Sequence, residues 1–336
     1  MNRTILRICR SLVLLLLLLG QSLPANGQDR LKIVRIMDDL KLTQPLSITF
    51  TDSLEIVTGD VFHYRRLGEN GEWSVAAADS TGAHSISWKS LENGAKVYYA
   101  VGTNKNQLLR FDGLDRKPQV FGTTEVPELF RPHDIIYNPE DDFFYVINAN
   151  YANDEKYLIR FKDLSKGYEK LDLMPIIKHG NLAYARALTL HQGKIYIVLS
   201  SYGEVIRIDD FDQATCTYYG YGKREAATAG AYSTTGLVLN DIEFYGGYWY
   251  GTNFFSSTYA NGSDHNEYRF IRWKTWDDFD RGKFEDMSSL IDKDETPYYM
   301  TCHKDKLNVV TFPDEAIASK ASMPMYGKVY VFKEDN

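Results

Sequence analysis

The chain has 336 residues, 44% hydrophobic, 14% aromatic and 25% charged, enough to bury a sizeable core and too apolar for disorder. Its 45 acidic residues against 38 basic ones give a net charge of −7, which argues against nucleic acid as a main partner because phosphate binding needs a basic face. The 24 Tyr and 17 Phe favour strands, and the length admits two ordinary domains or one large all-β domain.

Residues 1–27 read as a secretory signal peptide. Arg3, Arg7 and Arg10 make a basic start, Leu12 to Gly20 an apolar run, and Ala25-Asn26-Gly27 a small-residue cleavage site before Gln28. The apolar run is about half the roughly 20 residues a membrane span needs. No later segment is long and apolar enough to span a bilayer. The expected mature chain, residues 28–336, carries 35 basic and 45 acidic residues and keeps two cysteines, Cys216 and Cys302. A secreted, extracellular setting is expected.

Beyond the leader, one pattern recurs six times: a short alternating strand, a turn, a second apolar strand and a third strand. The copies open at Leu46 (LSITF), His84 (HSISW), His133 (HDIIY), Arg186 (RALTL), Asn240 (NDIEF) and Tyr299 (YMTCH), roughly 38 to 60 residues apart. An outer strand follows the first five: WSVAA, KPQVF, EKLDLM, CTYYGY and KFEDMSSLI. The sixth lacks one, and LKIVRIM (Leu31 to Met37) supplies it from the other end of the chain. These features describe an all-β, six-bladed β-propeller closed by pairing of its N-terminal and C-terminal strands. Residues 276–297 read as outer strand plus connection. The stretches 226–235 and 259–267 read as long loops.

In such a ring the first residue of each inner strand points at the channel mouth. This brings Leu46, His84, His133, Arg186, Asn240 and Tyr299 together, with Asp60, Asn104, Asn148, Asn150 and Asn253 on nearby loops. A convergent polar cluster of this kind is the default binding site. His84 and His133 lie in neighbouring blades and can share a metal, act as a base near neutral pH, or simply hydrogen-bond across the channel mouth. Arg186 can bind an anionic ligand group or pair with Asp134 or Asp241.

LNDIEFYGGYWYGTN (Leu239 to Asn253) resembles a Leu-Asn-Asp-Ile … Tyr-Gly-Thr-Asn stretch of the paraoxonases. PHDIIYNPEDDFFYVINAN followed by YLIRF resembles their Pro-His-Gly-Ile … Val-Val-Asn-His stretch and the strand after it. The wider superfamily takes in gluconolactonase (regucalcin-like) and strictosidine synthase-like six-bladed propellers, many with calcium in the channel. The resemblance is specific over two blades and architectural elsewhere. It implies Asn240 as a ligand of a catalytic calcium, Asp241 as a ligand of a second, structural calcium, and His133 as general base of an ester or lactone hydrolase; Asn148 and Asn253 offer further carbonyl oxygens in the channel for such an ion. Ala149 stands where the partner of that base falls, Leu46 where an acidic ligand falls, and Arg186 and Tyr299 fill positions that the family gives to Asn or Asp.

Asn261-Gly262-Ser263 is an N-glycosylation sequon. Cys216, on an outer strand, and Cys302, on an inner one, stand too far apart for a disulfide. The first expectation is an extracellular binding or matrix module, monomeric, taking a small molecule or an extracellular protein through a polar channel with Arg186, Tyr299 and Asn148 as contacts. The alternative is a calcium-dependent lactonase or arylesterase-like hydrolase using His133, with His84 beside it.

Overall fold

The computed structural model describes residues 31–59, 61–69, 71–77, 83–148, 155–178, 184–223, 237–253, 268–314 and 318–335. The leader, Asp60, Ala149, Asn150, the loops at 226–235 and 259–267, and Asn261 lie outside the described residues.

Strand β1 (Leu31–Met37) precedes the first blade. Blade one is β2 (Ser47–Phe50), β3 (Leu54–Thr58), β4 (His63–Arg66) and β5 (Ser74–Val75). Blade two is β6 (Ala83–Ser90), β7 (Lys96–Gly102), β8 (Gln107–Phe111) and β9 (Gln119–Phe121). Blade three is β10 (Pro132–Asn138), β11 (Phe143–Asn148), β12 (Tyr157–Phe161) and β13 (Glu169–Asp172). Blade four is β14 (Ala185–His191), β15 (Lys194–Leu199), β16 (Glu204–Asp210) and β17 (Thr215–Tyr219). Blade five is β18 (Leu239–Tyr245), β19 (Tyr248–Asn253), β20 (Phe270–Trp273) and β21 (Glu285–Asp286). Blade six is β22 (Glu295–Cys302), β23 (Leu307–Pro313) and β24 (Lys328–Glu334), and β1 pairs antiparallel with β24 to complete it. The six-bladed propeller and its closure by the two chain ends are as the repeat requires.

Each second strand is apolar nearly throughout, because both faces of a blade pack on neighbours. The core is accordingly divided among the blade interfaces. Tyr99, Val101, Phe144 and Phe161 join blades two and three, and Ile147, Leu158, Ile197 and Ile206 join blades three and four. Met37, Val57, Val310 and Val329 seal blade six to blade one. Hydroxyls at the ends of the second strands, or on the residue just after them, add a repeated staple. Thr58, Thr103, Ser200 and Thr252 donate to the carbonyls of His84, Pro132, Leu239 and Tyr298, each at the start of the next inner strand.

Residues 276–297 differ from the sequence expectation. Trp276–Asp280 is a short helix, α1, started by a capping box between Thr275 and Asp278. The outer strand after it is only β21, followed by a single turn at Ser288–Leu290. Trp276 stacks on Tyr196 and Tyr219, so packing against blade four favours a helix over a longer strand. Among the described residues no helix is long and apolar enough to cross a membrane. Cys216 and Cys302 are free.

Candidate functional site

The inner strands carry a feature that residue types alone do not show. In blades two to six the pairing of first and second strand slips near its start: at Ala83/Ile86, Pro132/Asp134, Ala185/Ala187, Leu239/Asp241 and Pro297/Met300. Each slip is a β-bulge, which re-aims the extra side chain. The residues caught in the bulges are His84 with Ser85, His133, Arg186, Asn240, and Tyr299 with Tyr298. Blade one pairs without a shift from Ser47↔Thr58 to Phe50↔Glu55, and there the ring position is the apolar Leu46.

The bulges do bring the expected side chains together. The rings of His84 and His133 lie 4.0 Å apart, centroid to centroid. His133 is buried, and its Nδ1 lies 2.9 Å from the Tyr299 hydroxyl, which lies 3.1 Å from the Arg186 carbonyl. That hydroxyl has one proton, given to the carbonyl, so the contact assigns the His133 proton to Nδ1. Burial, then the neighbouring His84, Arg186 and Arg131, hold the His133 pKa well below its ordinary 6.5. Arg186 is buried and turns to the Tyr298 hydroxyl and over the Tyr184 and Tyr298 rings, rather than pairing with Asp134 or Asp241.

Asp134 and Asp241 hold blades together. Asp134 accepts from its neighbour Ile135 N at 2.8 Å and from Leu188 N of blade four at 2.7 Å. Asp241 accepts from Ile242 N at 2.8 Å and Met300 N of blade six at 2.7 Å. Burial pushes Asp134 up to about 6, and burial followed by the nearby Asp134 charge pushes Asp241 well above the usual carboxylate range.

The amides differ among themselves. Asn253 Oδ1 accepts from Val238 N, and Asn148 Nδ2 donates to the Glu128 carbonyl. Asn240 is fully buried, yet neither atom of its amide meets a hydrogen-bond partner among the described residues; Asn148 Oδ1 is likewise unpartnered. Of Asn240, Asp241 and Asn253, only Asn240 therefore keeps an unengaged side-chain oxygen. A calcium ion takes six to eight oxygens, several of them carboxylate. Among the described residues no three of His, Cys, Asp and Glu converge as a metal site.

Next to this ring the channel holds a cavity of about 350 Å³, lined by all six inner strands. Ser85, Asp134, Asp241 and Tyr299 line it on the ring side. At its far end it reaches Phe50, Leu190, His303 and the exposed Cys302. Thr49, Ser87, Thr189, Glu243 and Cys302 line it two residues beyond Ser47, Ser85, Ala187, Asp241 and Met300. This second layer went unread in the sequence, although Glu243 and Cys302 occupy equivalent positions of copies five and six.

No protein-family profile matches the chain. No curated protein sequence matches it either. Solved structures do match in shape. They include a luciferin-regenerating enzyme (12% identity, covering 89% of this chain and 95% of that one, TM-score 0.56). A second is a PQQ-bound aldose sugar dehydrogenase from Streptomyces coelicolor (11%, 91% and 98%, TM-score 0.54). A third is a streptogramin B lyase (10%, 91% and 88%, TM-score 0.53). At these identities the likeness is one of fold, and propellers of one fold serve unrelated chemistries.

Proposed function

We propose that this protein is a secreted, extracellular binding module that takes a small molecule or an extracellular protein at its channel. The observation that carries this reading is the closure of the ring upon itself. His133, the residue that would serve as base, is buried, bonded to Tyr299 and lowered in basicity. Arg186 stands in the same ring, where it repels a cation. What the channel leaves accessible is a chamber lined by carboxyl and hydroxyl groups, which can hold a molecule.

One observation favours the hydrolase reading: the buried amide of Asn240 meets no hydrogen-bond partner among the described residues, and a cation would satisfy its carbonyl oxygen. In that reading calcium held at Asn240 would polarise the ester carbonyl, and the resemblance to the paraoxonases and gluconolactonases would extend from two blades to chemistry. The deciding experiment uses the mature chain, melted with calcium and with chelator, and assayed on lactones and aryl esters. The binding reading expects no turnover and no calcium-dependent rise in melting temperature. Turnover that is lost in Asn240→Ala or His133→Ala would overturn it.

A further inference from the structure

The chamber on the far side of the ring is chemically one-sided. Three carboxyl groups, Asp134, Asp241 and Glu243, line it, while no Lys or Arg does among the described residues. The other titratable groups on its wall are His303, Cys302, Tyr137 and Tyr299. Burial, then the Lys304 charge, lower the His303 pKa below its ordinary 6.5, with Glu55 acting the other way and Lys306 adding to the fall. Asp134 and Asp241 spend both carboxylate oxygens on backbone amides. Glu243 differs, because the Cys302 thiol and the Phe244 amide hydrogen-bond it and no backbone amide of a neighbouring blade does so among the described residues. It is a carboxyl group that burial keeps largely protonated at neutral pH, with no ion pair among the described residues, on the wall of a space large enough for a small ligand.

The hydroxyls complete the picture. Thr49 and Ser87 line the same chamber, and their hydroxyls make no hydrogen bond among the described residues. Thr189, in the strand beside Glu243, donates to the Ile242 carbonyl at 2.5 Å and keeps its lone pairs for accepting. Ile136, Leu190, Phe50 and Met300 supply apolar wall between the polar groups.

We infer that this chamber binds a small molecule bearing a primary ammonium group, with the ammonium on Glu243 and its short apolar body against Ile136, Leu190 and Met300. An ammonium group has three donors and no acceptor, which suits one carboxylate flanked by hydroxyl oxygens. A single carboxyl group, ionised on binding, balances one positive charge and falls short of what calcium requires. A cavity of about 350 Å³ lies at the low end of the range for ligand sites, so the body is a few carbons long. This inference rests on the binding reading and names its ligand class.

The test is titration calorimetry of the mature chain with n-butylammonium chloride, with sodium butyrate, tetramethylammonium and calcium chloride as separate arms. Butylammonium is expected to bind. Tetramethylammonium, without donors, is expected to bind at least tenfold more weakly, and butyrate not at all. Glu243→Gln is expected to lose about tenfold or more of the affinity, the scale of a charge-assisted hydrogen bond. Its melting curve reports whether it folds, and Ser87→Val, on another strand, tests the same chamber independently. Binding is also expected to release protons at pH 7, seen as a heat that changes with the buffer. Absence of butylammonium binding overturns the inference. So does equal binding by Glu243→Gln, or displacement of butylammonium by calcium. Ester turnover instead overturns the binding reading itself, so the two failures are distinguishable.

Discussion

The two ends of the channel are made by the same six strands and behave differently. At the ring end, bulges in blades two to six turn His84, His133, Arg186, Asn240 and Tyr299 inward. His133, Tyr299 and Arg186 then bond to one another or to adjacent aromatic groups. Two residues further along, the pleat is regular, and Thr49, Ser87 and Glu243 face a cavity, the two hydroxyls without a hydrogen bond among the described residues and Glu243 bonded by the Cys302 thiol and the Phe244 amide. A bulge concentrates polar groups, and concentrated polar groups can satisfy one another. A regular pleat spaces them by two residues and leaves them for a ligand. Blade one shows the same point in reverse, since its strand has no bulge and its ring residue is Leu46.

The largest expected effect belongs to the carboxylates that separate the two ends. Asp241→Ala removes the acceptor for two backbone amides, one of them in the next blade. It is expected to lower stability by roughly 3 kcal/mol, read from urea denaturation, because each buried donor left unsatisfied costs on the order of 1–3 kcal/mol. Asp134→Ala is expected to behave alike between blades three and four. A much smaller loss would mean that these carboxylates are held for a ligand, and the ring end would become the site.

Next comes Tyr299→Phe. The hydroxyl it removes joins His133 Nδ1 to the Arg186 carbonyl, both buried. A loss of roughly 1–2 kcal/mol is expected in the same measurement. No loss would show that the ring is not closed by these bonds, and the contrast between the ends would fail.

Much of this was legible in the sequence. Alternating inner strands, turn residues and apolar second strands recur often enough to count the blades, and LKIVRIM could only be the missing outer strand. The residues of the ring were legible for the same reason, because each opens a copy. The bulges were not, since a one-residue slip leaves no trace in residue type while it decides which side chain meets the channel. The chamber was missed for that reason: whether Glu243 or Ile242 faces inward depends on the slip before it. Helix α1 was missed for another, as Thr275 and Asp278 form a capping box inside a stretch whose alternating apolar residues resemble a strand.

The smallest expected effect is the most informative about the regular end. Burial raises Glu243 from an ordinary 4.5 to about 8, with the Cys302 and Phe244 hydrogen bonds acting the other way. An acid whose folded pKa lies above its unfolded value binds more protons when folded. Stability from this group is therefore full below about pH 4.5 and is lost as the pH rises towards 8. Glu243→Gln cannot titrate and should escape that loss. It is expected to exceed the native chain in stability by roughly 1 kcal/mol at pH 8.5, well below the full linkage value because channel water screens the group, and to converge with it near pH 4.5. His133, lowered in the folded state, contributes the opposite slope below its ordinary 6.5, but equally in both proteins, so it cancels in the difference. Denaturation of the pair across that range reads the difference directly. If the two curves run parallel, Glu243 is solvated like any surface carboxylate, and the regular end offers a ligand no more than the ring does.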